Sequence, residues 1–389
     1  MSKRHHGDGG IDARGQNSFR LRYRINGKRY SQTFRGTLPE ARKKLRELIR
    51  CGDTGTHIEP DKITLGEWIS QWLAAGAPGK KQRRAGRSTV EQYAQLLRCH
   101  VVPVLGARRL QQLQAVEIDQ LYVALADTLA PKTVQLVHVV LGSCLRTVTR
   151  KGLLMANPID RALAPPTEES DHGVVLDVAG LRKLLDGFRG STLFPIVAVA
   201  VHTGARRNEI LALRWTDFDA TNRTLRIERA VERDTERFKL PKTKRGIRTI
   251  SIDDELVALL VAEREKYLRL VAGVPDSVAV SLSLIKLPDE ALIFPTIGAK
   301  LDLTQPRRPT AVSKSFTRHA SKLGFKDLSF HDLRGSHETA LLEAGEPVHV
   351  VAERCGHDPA VLLRNYAKRT HKADMGAAAT TGKLFKGCL

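Results

Sequence analysis

Phe19, Leu21, Tyr23 and Ile25 alternate with Arg20, Arg22 and Arg24, the two-residue period of a strand with one buried face. Asn26-Gly27 supplies the residues that a tight two-residue turn demands, and Lys28 to Phe34 reads as the returning strand of a hairpin. One face of that ribbon is apolar; the other carries a row of guanidinium groups. Thr37-Leu38-Pro39-Glu40 then reads as a capping box opening a helix to about Arg50, whose Leu45, Leu48 and Ile49 cover the sheet. Residues 1–55 are thus expected to form a small module of β-hairpin or sheet plus helix.

A polar run over 51–61 separates this module from a stretch of helical period. Thr64-Leu65-Gly66-Glu67 caps a helix carrying Trp68, Ile69, Trp72 and Leu73, and Ser88-Thr89-Val90-Glu91 caps another with Val90, Tyr93, Leu96 and Leu97. Further helices are expected at 115–127 and 131–151, the latter stopping before Asn157-Pro158. Residues 62–162 read as one all-helical domain. A second linker, 163–173, contains Pro165-Pro166. From 174 to 389 the pattern is mixed: helical periods at 177–188 and 191–203, short strands at 224–229, 237–240 and 247–252, then more helices. The expected fold class is multidomain, mainly α with α+β.

Composition narrows the function. The 389 residues exceed one ordinary core, and 42% hydrophobic with 27% charged residues describes a globular chain. The longest apolar stretch, Leu193 to Val201, is far short of the roughly 20 residues a membrane span needs, and no secretory signal opens the chain. A cytoplasmic protein without a membrane partner is expected. Cys51, Cys99, Cys144, Cys355 and Cys388 are scattered singly, which suits neither a disulfide framework nor a metal site. The net charge of +21 seeks a polyanion, either nucleic acid or an acidic membrane surface, and residues 1–50 alone hold 14 Lys and Arg against 4 Asp and Glu. Arg20, Arg22 and Arg24 on the ribbon, and Lys80, Lys81, Arg83, Arg84 and Arg87 in a loop between two helices, are the candidate DNA-binding groups. No phosphate-binding glycine loop or dinucleotide motif occurs.

Four pieces of the last domain belong together. Thr203-Gly204-Ala205-Arg206-Arg207-Asn208-Glu209-Ile210-Leu211-Ala212-Leu213-Arg214-Trp215 closes one helix and opens another. Pro241-Lys242-Thr243-Lys244-Arg245-Gly246 lies between two expected strands, His331-Asp332-Leu333-Arg334 follows Leu328-Ser329-Phe330, and Gly356-His357 precedes Tyr366. In order and spacing these pieces, with Leu341-Leu342-Glu343-Ala344-Gly345, resemble the tyrosine recombinase family, over roughly 175–370. The helical domain resembles the family's core-binding domain in type, and the N-terminal ribbon resembles the arm-binding domain of some phage integrases. The resemblance implies a catalytic domain over 174–389 and a site-specific DNA recombinase of a phage or other mobile element. Arg206, Lys242, His331, Arg334, His357 and Tyr366 would be its catalytic residues.

The residue types suit that chemistry. Attack on a phosphodiester piles negative charge onto its non-bridging oxygens, and two planar, permanently charged forks such as Arg206 and Arg334 can clamp them. No clustered Asp/Glu set suggests two-metal chemistry, so neither metal nor cofactor is expected. A tyrosine hydroxyl becomes nucleophilic when placed beside a base and cations, and His331 and His357 are suited to proton handling or hydrogen bonding. The resemblance implies that Lys242 protonates the departing 5′-oxygen, with Lys239 and Lys244 close enough to be alternatives. It also implies a 3′-phosphotyrosyl intermediate that conserves bond energy, so that rejoining needs no ATP. Glu209 is expected to orient a site histidine, with a structural helix-start carboxylate as the other reading. Gly335, Cys355 and Ala205 depart from the residues common in the family at these places.

The expected partners are double-stranded DNA at attachment sites and three further copies of the chain, because exchange needs four strand cuts. A directionality factor or host DNA-bending protein is a further possible partner. The segment Lys368 to Leu389 either docks on a neighbouring protomer or is disordered. Competing readings are a chromosome resolvase or type IB topoisomerase with the same chemistry, and a catalytically silent DNA-binding regulator on the same fold.

Overall fold

A computed structural model describes residues 9–25, 27–53, 61–79, 84–166, 173–232, 235, 237–241, 246–296, 298 and 302–367; the side chains of 51–53 and 364–367 are also outside the description. The chain divides into two compact units, Met1–Ser170 and Asp171–Leu389. Among the described residues no helix is long and apolar enough to cross a membrane.

The first unit opens with an antiparallel sheet in the order β1 (Gly10–Gly15), β2 (Ser18–Ile25), β3 (Lys28–Arg35). Pairing runs from Ser18↔Arg35 to Ile25↔Lys28, the register expected of a hairpin turning at Asn26-Gly27, although Asn26 itself lies outside the described residues. Strand β1 was not foreseen. Its sequence, Gly-Ile-Asp-Ala-Arg-Gly, has a single large apolar residue and no alternation, so only pairing with β2 organises it. Helix α1 (Leu38–Asp53) begins as expected, with Glu40 Oε2 accepting from the Thr37 backbone N–H at 2.8 Å. Leu21, Tyr23, Ile25, Ala41 and Leu45 form a small separate core.

The helical part comprises α2 (Leu65–Ala74), α3 (Arg87–His100), α4 (Val102–Leu105), α5 (Ala115–Ala126) and α6 (Pro131–Arg150) around Trp68, Ile69, Trp72, Leu97, Leu141 and Leu145. Thr64 and Glu67 form the expected capping box. Helix α3 starts earlier than its Ser-Thr-Val-Glu stretch suggested. Gly86 occupies the N-cap, and Arg87 joins the first turn, where its Nε lies 2.9 Å from Glu91.

The second unit runs through α7 (Val178–Phe188), α8 (Phe194–Thr203) and the single turn α9 (Arg207–Ile210). Then come β4 (Phe218–Asp219), β5 (Thr224–Ile227), β6 (Ala230–Val231), β7 (Phe238–Lys239) and β8 (Arg248–Ser251). Helices α10 (Asp254–Ala272), α11 (Pro309–Lys322), α12 (Asp332–Glu343), α13 (Val348–Cys355) and α14 (Pro359–Ala367) complete it. The strands form an antiparallel β4-β5-β8 sheet and a separate β6-β7 pair.

Helix α8 is apolar all round, and Ile196, Val197, Ala198, Val199 and Ala200 are all buried, which makes it the axis of the main core. Helix α14 stands apart from that core. Its Leu362 joins Val351 and Ala352 of α13 in a small cluster of its own, against Leu341, Leu342 and Val348.

Candidate active site

Two helix ends frame the site. Helix α8 stops at Gly204 and α13 at Gly356, both in the left-handed conformation (φ 62° and 66°) that glycine adopts without strain. A helix C-terminus leaves carbonyl oxygens unpaired and carries partial negative charge, so it attracts a cation. Here the cations are the two expected arginines. Arg334, 3% exposed, donates from Nη1 to Gly204 O at 2.7 Å and from Nη2 to Cys355 O at 2.5 Å. Arg206 donates from Nη2 to Gly356 O at 3.4 Å. The fold thus brings together guanidinium groups 128 positions apart in the sequence, on neighbouring ends of α8 and α13.

Arg206 is the N-cap of α9 and is only partly covered, with 39% of its side chain exposed. Glu209 accepts from its backbone N–H at 3.0 Å and from its Nη1 at 2.9 Å. The expectation that Glu209 orients a histidine is corrected here: its other partner is Arg248 Nη2, at 2.9 Å. Burial would push the Glu209 carboxyl up, but Arg248 and Arg206 outweigh it and hold the group below its usual range. Arg248 also donates to Arg354 O at 2.7 Å, so one buried guanidinium joins β8, α9 and the end of α13.

His357, just past Gly356, meets a carboxylate that the motifs did not include. Glu338 Oε1 lies 2.8 Å from His357 Nε2 and 3.1 Å from Arg334 Nε. Glu338 is buried; the cost of burying its charge is outweighed by the close His357 and the charge of Arg334, which hold it ionised below the usual carboxylate range. His331 caps α12 and borders a cavity of about 560 Å³, lined also by Arg206, Lys239, Ser313, Thr317 and Ser329. Desolvation and the charge of Arg334 hold the His331 ring below the usual histidine range, which favours its neutral form at neutral pH. Cys355 is fully buried, and its thiol is pushed up to about 11 by that burial.

The structure therefore brings Arg206, Glu209, His331, Arg334 and His357 into one basin. Lys242 lies outside the described residues, as does Lys244; Lys239, on β7, lines the cavity. Tyr366 falls on α14, with its side chain outside the description. Of the candidate DNA-binding groups, Lys80, Lys81 and Arg83 lie outside the described residues, and Arg84 and Arg87 are exposed. Arg22 and Arg24 are exposed on the sheet as expected, with Arg20 partly covered, but Asp12 of the unforeseen β1 sits 2.8 Å from Arg22.

Sequence reasoning missed Glu338 and Arg248, and each had a signal. Glu338 stands four residues after Arg334 on one helix, the spacing of a side-chain pair. Arg248 shares a face with Ile250 in an alternating strand, so the pattern places a charge on the buried side. A cavity of about 1040 Å³ lies along α11, and its described lining includes Arg307, Arg308, Arg318, His319 and Lys322 and no acidic residue. It holds none of the candidate catalytic groups.

Residues 189–373 match the model of the phage integrase family. An integrase of Streptomyces ambofaciens is 28% identical over 99% of this chain and 98% of its own length. A XerC-like tyrosine recombinase of Caldanaerobacter subterraneus is 24% identical, covering 92% of this chain and 93% of its own. Among solved structures, a lambda integrase dimer bound to a core site aligns with 95% of this chain and 98% of its own, at a TM-score of 0.59 and 16% identity. The Tn1549 transposon integrase with a circular intermediate DNA aligns with 83% of this chain and 99% of its own, at a TM-score of 0.64 and 17% identity.

Proposed function

The chain belongs to the phage integrase family of tyrosine recombinases, and from that membership we propose that the arginine-lined basin cuts and rejoins attachment-site DNA through Tyr366. The observation that carries this reading is the pairing of Arg206 and Arg334 on the ends of α8 and α13, with His357 beside Arg334.

A guanidinium has five N–H donors. The backbone carbonyls occupy one on each terminal nitrogen of Arg334, so a hydrogen remains on Nη1 and on Nη2 for the two oxygens of a phosphate. Arg206, less covered, supplies the second fork. The Tyr366 oxygen attacks phosphorus and the bond to the 5′-oxygen breaks, leaving the phosphate joined to tyrosine at the 3′ side. His331, held neutral, takes the phenolic proton; Lys242, or Lys239 on the cavity wall, gives a proton to the departing 5′-oxygen. The reverse steps rejoin the strand, and no bond energy is lost, so ATP has no role. The arginines supply the charge stabilisation, and we expect no metal requirement.

In this reading residues 1–55 bind arm-type sites, 62–162 form the core-binding domain, 163–173 link, and 174–389 form the catalytic domain with its tail. The relatives in solved complexes are a dimer on a core site and a tetramer on a Holliday junction, and we extend that assembly to this chain: four copies on two DNA segments, in the cytoplasm. The exposed arginines of β2 and the basic cavity along α11 suit a phosphate backbone.

The test incubates wild type and Tyr366→Phe, in chelator, with nicked attachment-site DNA from which the cut strand escapes. A covalent adduct with wild type alone is expected on denaturing gels. An adduct that survives in Tyr366→Phe sinks the site assignment, loss of the adduct in chelator sinks the metal-free chemistry, and tight binding without any adduct favours the silent regulator.

A further inference from the structure

A buried carboxylate is a strange neighbour for a phosphate-binding basin. Its charge repels the anion that Arg206 and Arg334 are placed to attract, and its desolvation is costly unless it is well paired. Glu338 is nevertheless 6% exposed, one helical turn after Arg334, and aimed at the two groups nearest the expected phosphate. We propose that Glu338 is a positioning residue for strand cleavage, the charge on its Oε1 holding the His357 ring and the Nε edge of Arg334 in place beside the phosphate site. This inference rests on the assignment of Arg334 and His357 to the phosphate-binding basin.

The contacts are those of charge rather than of aligned hydrogen bonds. Glu338 Oε1 lies 2.8 Å from His357 Nε2 and 3.1 Å from Arg334 Nε, yet no hydrogen bond among the described residues reaches that oxygen. Arg334 Nε instead donates to His357 Nε2 at 3.1 Å, so the guanidinium and the imidazole are already joined. A negative charge buried against both draws them to one side, and in a site of low dielectric that pull is strong enough to fix where the pair sits.

A bland role, in which Glu338 merely balances the buried charge of Arg334, predicts something different. The experiment measures single-turnover adduct formation on the nicked attachment-site duplex for wild type, Tyr366→Phe, Glu338→Gln, His357→Ala and the double variant Glu338→Gln/His357→Ala. Binding of the same duplex is measured in parallel. Adduct from wild type and none from Tyr366→Phe establishes the underlying reading; any other result there overturns that reading and not the role of Glu338. Glu338→Gln is then expected to cleave roughly 10- to 100-fold more slowly, with duplex affinity equal to or tighter than wild type. In the His357→Ala background the same change should have no further effect. Wild-type cleavage by Glu338→Gln, or an equal loss with and without His357, overturns the proposal. Should Glu338→Gln fail to fold, Glu338→Asp, which keeps the charge but draws it back by one methylene, decides: slower cleavage that depends on His357 is expected, and wild-type cleavage overturns the proposal.

Discussion

Behind the basin sits a histidine whose protonation opposes the fold. His337 donates from Nδ1 to Val201 O at 2.7 Å, and its Nε2 lies 3.4 Å from Arg354 Nε. Burial, then the charge of Arg354, lowers its pKa to about 4. The unfolded chain, with a histidine pKa near 6.5, binds this proton more readily than the folded one. The contribution is therefore fully present above about pH 6.5 and is lost as pH falls toward 4, for a total of roughly 3 kcal/mol. Urea unfolding of wild type and His337→Asn between pH 7 and 4.5 should show a steeper decline in the wild type. Equal slopes would mean that His337 is not held neutral.

At the scale of elements, the connections to α9 decide whether Arg206 is presented at all. A helix of one turn has little stability of its own, and Arg248 anchors it from β8 through Glu209. Arg248→Met removes one partner of a buried pair and leaves Glu209 with Arg206 alone. The expected loss is about 3 kcal/mol of unfolding free energy, with cleavage falling further than DNA binding because Arg206 loses its support. Thermal and urea unfolding check the first part and adduct assays the second; a loss below about 0.5 kcal/mol would refute the anchoring role.

Arg206, Arg334 and His357 were legible in the sequence because each sits in a short motif tied to a helix end. The ribbon β2–β3 was legible because its alternation and turn are local. Strand β1 was not, since two glycines and one isoleucine carry no period, and β4 and β6, at two residues each, are too short to show one, whereas β7 falls within the expected strand at 237–240. Glu338 and Arg248 escaped for another reason: apart from Arg334, one turn before Glu338, their partners come from other elements, and a single charge at a buried position reads like any other charge until the fold supplies its counterpart.

Across the whole molecule, the +21 charge should appear as salt dependence. Each phosphate neutralised contributes about 0.9 to the slope of log affinity against log salt on duplex DNA. Replacing Arg20, Arg22 and Arg24 together by Gln should flatten the slope for DNA bearing arm-type sites by roughly 2 to 3. The reduction will be smaller to the extent that Asp12 keeps Arg22 for itself. An unchanged slope, read by titration at several salt concentrations, would move the DNA face of this module off β2.

The small cluster under α14 has a consequence for timing. Leu362 is the one buried side chain among those described on the helix that carries Tyr366. The burial of that leucine is worth roughly 1.5–3 kcal/mol and belongs to neither the main core nor the arginine pair. The charged half of the site is anchored beside the main core, while the helix carrying the proposed nucleophile is seated, among its described side chains, by one leucine, so that a change at Leu362 should alter when cleavage starts before it alters how tightly phosphate is held.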